Sequence, residues 1–142
     1  MKATVRWVDG AQFVGESGSG HSLVIDGPPD IGGRDTGMRP MELMLMSAGA
    51  CSAVDVIHIL RKGRQPVSDC RVEVSGTRAE SEPKVFTDIH LHFRVSGNGL
   101  TEARVARAVA LSAEKYCSAS IMLGQAATGT HSHELVTAAG DA

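Results

Sequence analysis

The sequence predicts a mixed fold of strands and helices, on three observations. Arg39 to Gly63 forms one long, nearly all-apolar run with helix start and stop signals. Phe86 to Val95 alternates apolar and polar residues with the period of a strand. Taken together, the strand and helix signals fall in the order β-β-β-α-β-β-α-α-β.

Taken in order, Ala3 to Val8, Gln12 to Glu16 and His21 to Ile25 roughly alternate apolar and polar residues. They are separated by Asp9-Gly10 and Ser17-Gly18-Ser19-Gly20, so a three-stranded antiparallel meander is expected. Asp26 to Gly37 is rich in glycine, proline and aspartate without periodicity and reads as a surface loop. In the long run that follows, Pro40 suits the first helical position, Arg61-Lys62 suits the C-terminal end of the helix dipole, and Gly63 lies just beyond. Few polar side chains interrupt it, so the helix is expected to be buried. Its apolar core from Leu43 to Leu60 contains Asp55 and His58, which favours a protein core over a membrane span.

Cys70 to Thr77 alternates Cys70, Val72 and Val74 against Arg71, Glu73 and Ser75, the pattern of a half-buried strand. After the charged turn Ala79 to Lys84, the next strand sets Ile89, Leu91, Phe93 and Val95 on one face and His90, His92 and Arg94 on the other. Gly97-Asn98-Gly99 is expected to close that hairpin. Thr101 is a suitable N-cap for a helix from Glu102 to Lys115, with Glu102 favourable in its first turn. A short helix over Ala119 to Ala127, a strand over Thr130 to Thr137 and a frayed tail complete the chain.

The 142 residues fit a single domain, 1–142, or one half of an intimate dimer. Lys+Arg 14 against Asp+Glu 16 leaves a net charge of -2, which provides no basic footprint for nucleic acid. Three cysteines without a disulfide framework or an export signal point to a reducing, cytoplasmic setting. With aromatic residues at 4%, the core must be built from aliphatic side chains and methionine.

Cys51 lies in the middle of the long helix and Cys117 just after a later one. Such a pair has the parts for peroxide reduction: one thiolate takes an oxygen to become a sulfenic acid, and the second thiol condenses with it to a disulfide. On residue types alone packing is the favoured reading, because free cysteine is among the most buried side chains. Cys70, on the apolar face of a strand, reads as packing. Asp55, one turn from Cys51, reads as structural, since a carboxylate disfavours a nearby thiolate. His90 with His92, and His131 with His133, each share a strand face, and two such pairs on adjacent strands would make a metal module. Solvated or interface histidines are the simpler reading, so no metal and no cofactor is expected. His21 and His58 stand alone.

Arg39-Pro40-Met41-Glu42-Leu43 followed by Ala48-Gly49-Ala50-Cys51-Ser52, together with Ala113-Glu114-Lys115-Tyr116-Cys117-Ser118, resembles the two cysteine motifs of the OsmC/Ohr family of osmotically induced and organic-hydroperoxide-resistance proteins. Within it the chain is most similar to a small OsmC-like branch with Cys-Ser-Ala-x-Asp-Val and Glu-Lys-Tyr-Cys-Ser runs. The resemblance implies an α+β, OsmC-like fold, an interlocked homodimer, and thiol-dependent reduction of hydroperoxides, with Cys51 peroxidatic and Cys117 resolving. Relatives carry Asn-Pro-Glu at the helix start, where the glutamate holds an arginine over the reactive thiol and favours the thiolate. Here the triplet is Arg39-Pro40-Met41 and Glu42 lies one step on, rotated by roughly 100°. Arg34 and Arg39 are the candidate arginines. The implied partners are a hydroperoxide, or a small apolar ligand if the scaffold senses or binds instead, and a thiol reductant. Neither nucleic acid nor membrane is expected.

Overall fold

The computed structural model describes residues 1–136; the end of the last expected strand at Thr137 and the tail lie outside them. The chain groups into two compact units, Met1–Met44 and a second from Leu45 onward.

The first unit holds the expected meander: β1 (Ala3–Asp9), β2 (Gln12–Ser17) and β3 (Ser22–Ile25), paired antiparallel in that order. Val5 faces Gly15 and Trp7 faces Phe13 across β1 and β2, and Val14 faces Val24 across β2 and β3. The loop after β3 is better ordered than its composition suggests. Asp26 is buried, and its carboxylate accepts the amides of Gly27, Arg34 and Thr36 and the Thr36 hydroxyl, pinning both ends of the loop to one side chain.

Helix α1 (Pro40–Lys62) begins and ends within a residue of expectation and runs from the first unit into the second. Its C-terminus is closed by Arg64 rather than by Gly63. Arg64 takes φ 54° and the Gln65 and Arg64 amides return to the Leu60 and Arg61 carbonyls, a Schellman closure. The expectation of burial all round is corrected. Ala48, Gly49, Ser52, Val56 and Leu60 are the buried residues, a stripe at four-residue spacing, whereas Val54 is 68% exposed and Met46 52%. One sheet layer covers one face of a helix, and the remaining apolar side chains face away from it. By length and composition the helix is also apolar enough to cross a membrane.

In the second unit β4 (Asp69–Arg78) and β5 (Phe86–Ser96) form an antiparallel hairpin, and β6 (Thr128–Val136) pairs parallel with β5, giving the order β4-β5-β6. The hairpin is closed by residues 79–85, not by Gly97-Asn98-Gly99, which turns the chain toward the next helix. Alternation in β5 is as expected, with Phe86, Ile89, Leu91, Phe93 and Val95 buried. The parallel return requires a crossover. It consists of α2 (Glu102–Leu111), a π turn (Ser112–Tyr116) and α3 (Ser118–Leu123). Thr101 occupies the N-cap of α2 with extended backbone, yet its hydroxyl makes no capping bond. The expected α-helix to Lys115 widens into the π turn, whose closing bond runs from the Cys117 amide to the Ser112 carbonyl at 2.9 Å.

Candidate functional site

The stripe on α1 that faces the core carries Ala48 and Ser52, with Cys51 beside them and Asp55 one turn later. From the crossover, the π turn delivers Ser112 at its start and Cys117 at its end. These two segments meet. Cys51 Sγ, Cys117 Sγ and an Asp55 carboxylate oxygen all lie within 4.8 Å of one another. All three cysteines are free thiols. Cys117 is fully buried, while Cys51 and Asp55 are half-buried, so the cluster is reached from the Cys51 side.

Cys117 is also a structural cap: its sulfur accepts the Ser120 amide at 3.4 Å at the start of α3. Burial pushes the Cys117 thiol up, the hydrogen bonding from Ser120 pulls back against it, and neighbouring Cys51 adds to the rise. Behind the sulfurs, the hydroxyls of Ser52 and Ser112 bond at 2.7 Å, and Ser112 also lies 3.4 Å from Asp55 Oδ2 and 3.3 Å from the Ser52 carbonyl. A cavity of about 320 Å³ adjoins this cluster, lined by Ala48, Ser52, Ile89, Leu91, Phe93 and Ser120 among others. The Ser120 hydroxyl is buried without a hydrogen-bond partner among the described residues.

The other expected site residues have different employment, all within the first unit. Glu42 accepts the Arg39 amide at 2.9 Å through Oε2, the reaching-back half of a capping box at the start of α1. Arg39 sends its guanidinium to Asp35 at 3.0 Å, and Arg34 pairs with Asp9 at 3.3 Å. Glu42 therefore holds the backbone of Arg39 and not its guanidinium.

The shared metal module is overturned by the parallel register. His90 pairs with Thr130 and His92 with Ser132, so His131 and His133, opposite Leu91 and Phe93, project to the other face. His90 bonds Thr130 and Ser132, His92 bonds Ser132, and His133 reaches Glu102 at 2.7 Å. Cys70 stays on the half-buried face of β4, its thiol pushed up by burial and then by Asp69. Sequence reasoning missed Ser52 and Ser112 and set Asp55 aside, although the four-residue spacing of Cys51 and Asp55 on a helix already placed them side by side.

A family model described as OsmC-like protein matches residues 33–132, which include Cys51 and Cys117. The chain belongs to the OsmC-like family. Protein YhfA of Escherichia coli (strain K12) is 53% identical over 138 residues, covering 97% of this chain and 100% of that protein. A solved hypothetical protein from Aquifex aeolicus VF5 superposes with a TM-score of 0.84 at 33% identity, covering 96% of each chain. An organic hydroperoxide resistance protein OsmC from Legionella pneumophila, described as a predicted redox protein, superposes with a TM-score of 0.72 at 19% identity over 94% of this chain and 95% of that one. At that identity the likeness establishes the fold, and the α+β OsmC-like architecture expected from the sequence is the one found.

Proposed function

We propose that this OsmC-like protein is a cytoplasmic thiol peroxidase that reduces organic hydroperoxides through Cys51 and Cys117. The observation that carries the reading is the convergence of the two sulfurs within 4.8 Å from separate elements. Cys51 is the more accessible and takes the distal peroxide oxygen as a thiolate, giving a sulfenic acid and releasing the alcohol once the alkoxide is protonated. Cys117, kept a neutral thiol by burial, then attacks the sulfenic sulfur. The S–S bond forms, the S–O bond breaks, and the thiol proton leaves with the hydroxyl as water. A dithiol reductant returns both thiols and is itself oxidised. The description of the Legionella protein as an organic hydroperoxide resistance protein supports the substrate class.

The working form in this reading is a homodimer of one-domain chains, 1–142. Support comes from the apolar side chains left open on a single chain: Val54 and Met46 on α1, Val5 and Trp7 on β1, and Met122 on α3. A second copy, rather than a bilayer, covers them, and light scattering should give twice the chain mass. Arg34 and Arg39 are already engaged by aspartates, so the reading rests on the cysteine pair.

Stopped-flow mixing of reduced protein with cumene hydroperoxide tests it. Wild type should turn over with a dithiol reductant, Cys51→Ser should be inert, and Cys117→Ser should stop at the sulfenic acid. Equal, negligible peroxide consumption by wild type and Cys51→Ser would remove the enzyme reading. It would leave the second one, capture of a small apolar ligand, which the cavity beside Ser120 favours.

A further inference from the structure

Reduced Cys51, Cys117 and Asp55 make a donor set with a second use. Two thiolates and a carboxylate are ligands for a borderline-soft divalent cation. Tetrahedral zinc with bonds of about 2.3 Å to sulfur holds its donor atoms roughly 3.8 Å apart. The three donors here lie within 4.8 Å, so side-chain rotation through about 1 Å closes them on an ion. All three come from packed backbone, two from α1 and one from the end of the π turn.

The surrounding groups are those that orient metal ligands. The Ser120 amide points at the Cys117 sulfur, and the Ser112 hydroxyl lies beside Asp55 while bonded to Ser52. Asp55 makes no ion pair among the described residues, so no side-chain cation competes for its charge. Access is through the half-buried Cys51 and Asp55. The same carboxylate that sits awkwardly beside a thiolate becomes a ligand once a dication neutralises all three groups.

We propose that the reduced protein binds one zinc-class divalent cation per chain at Cys51, Cys117 and Asp55, leaving a fourth position to water. Binding releases the thiol protons and ties up the sulfur lone pairs, so the metal-loaded site does not react with peroxide. Disulfide formation in turn removes two ligands and expels the ion. The binding claim stands on the geometry; only its consequence for turnover rests on the peroxidase reading.

Cobalt(II) titration of reduced, metal-free protein tests binding. One equivalent per chain should give tetrahedral d–d bands and a sulfur-to-cobalt charge-transfer band, both bleached by zinc. The charge-transfer band should vanish in Cys51→Ser and in Cys117→Ser, and Asp55→Asn should weaken binding at least about tenfold. Prior disulfide formation or thiol alkylation of the wild type should abolish the signal without relying on any variant to fold. Unchanged cobalt affinity in alkylated wild type or in Asp55→Asn overturns the assignment, as does an absence of thiolate bands in the reduced protein. Peroxide consumption by the metal-free protein is read separately, so a failure of turnover and a failure of binding are distinguished; where turnover holds, zinc should suppress it and a chelator restore it.

Discussion

The sulfurs of Cys51 and Cys117 approach within 4.8 Å although one stands in mid-helix and the other caps the start of a different helix. On the proposed peroxidase reading, the two sulfurs close from there to the roughly 2.05 Å of a disulfide. Peroxide-treated protein should therefore give a peptide map in which Cys51 and Cys117 are linked within one chain and Cys70 remains alkylatable. A linkage through Cys70, or between chains, would break the assignment of the resolving thiol.

Ser52 and Ser112 form the polar link under the site, both buried and 2.7 Å apart. Truncating either leaves the other hydroxyl with a lost partner, a cost of about 1–3 kcal/mol. Ser52→Ala and Ser112→Ala should each lower the denaturant midpoint. The double variant should lose less than the sum, with a coupling of about 1 kcal/mol in a double-mutant cycle. Strict additivity would show that the hydroxyls do not interact.

The legible part of this chain was whatever depended on periodicity. Ile89, Leu91, Phe93 and Val95 had to share a face, and Pro40 and Arg61-Lys62 marked both ends of α1. Three features depend on contacts that no local pattern records. The parallel pairing of β6 with β5 separates His131 and His133 from His90 and His92, and nothing in a His-x-His spacing reveals a strand's direction. A π turn differs from an α turn by one residue, so the displacement that brings Ser112 and Cys117 to α1 was invisible in a helical pattern. Apolar composition in α1 could not tell a face buried by its own chain from one left open, and it overstated burial at Val54 and Met46. Of the candidate site, the two cysteines that the motif singles out are brought together, and Arg34, Arg39 and Glu42 hold local ion pairs and a helix cap.

Asp26 predicts an acid limb in stability. The Thr36 hydroxyl and amide, then the amides of Arg34 and Gly27, outweigh burial and lower its pKa from 3.8 to about 2. A depressed carboxylate stabilises the fold above its unfolded pKa, and that contribution fades as pH falls toward the folded value. Wild type should exceed Asp26→Asn in denaturant midpoint at pH 7, and the gap should shrink between about pH 4 and pH 2. A gap independent of pH across that window would show that the asparagine loses packing and not charge-assisted hydrogen bonds.

Gly49 sets two opposing effects against each other beside Cys51. Replacing a mid-helix glycine by alanine ordinarily gains roughly 0.5–1 kcal/mol in backbone entropy. Here a Cβ would stand 2.7 Å from Val74 Cγ2, and the branched valine on β4 has little freedom to rotate away. Overpacking of that kind costs about 1–3 kcal/mol, so the clash should win and Gly49→Ala should be destabilising. Adding Val74→Ala removes the obstructing methyl and should recover part of the loss, although Val74→Ala alone is expected to destabilise. Thermal or denaturant unfolding of the three variants checks this. If Gly49→Ala instead raises stability, Val74 and β4 give way to the added methyl at little cost.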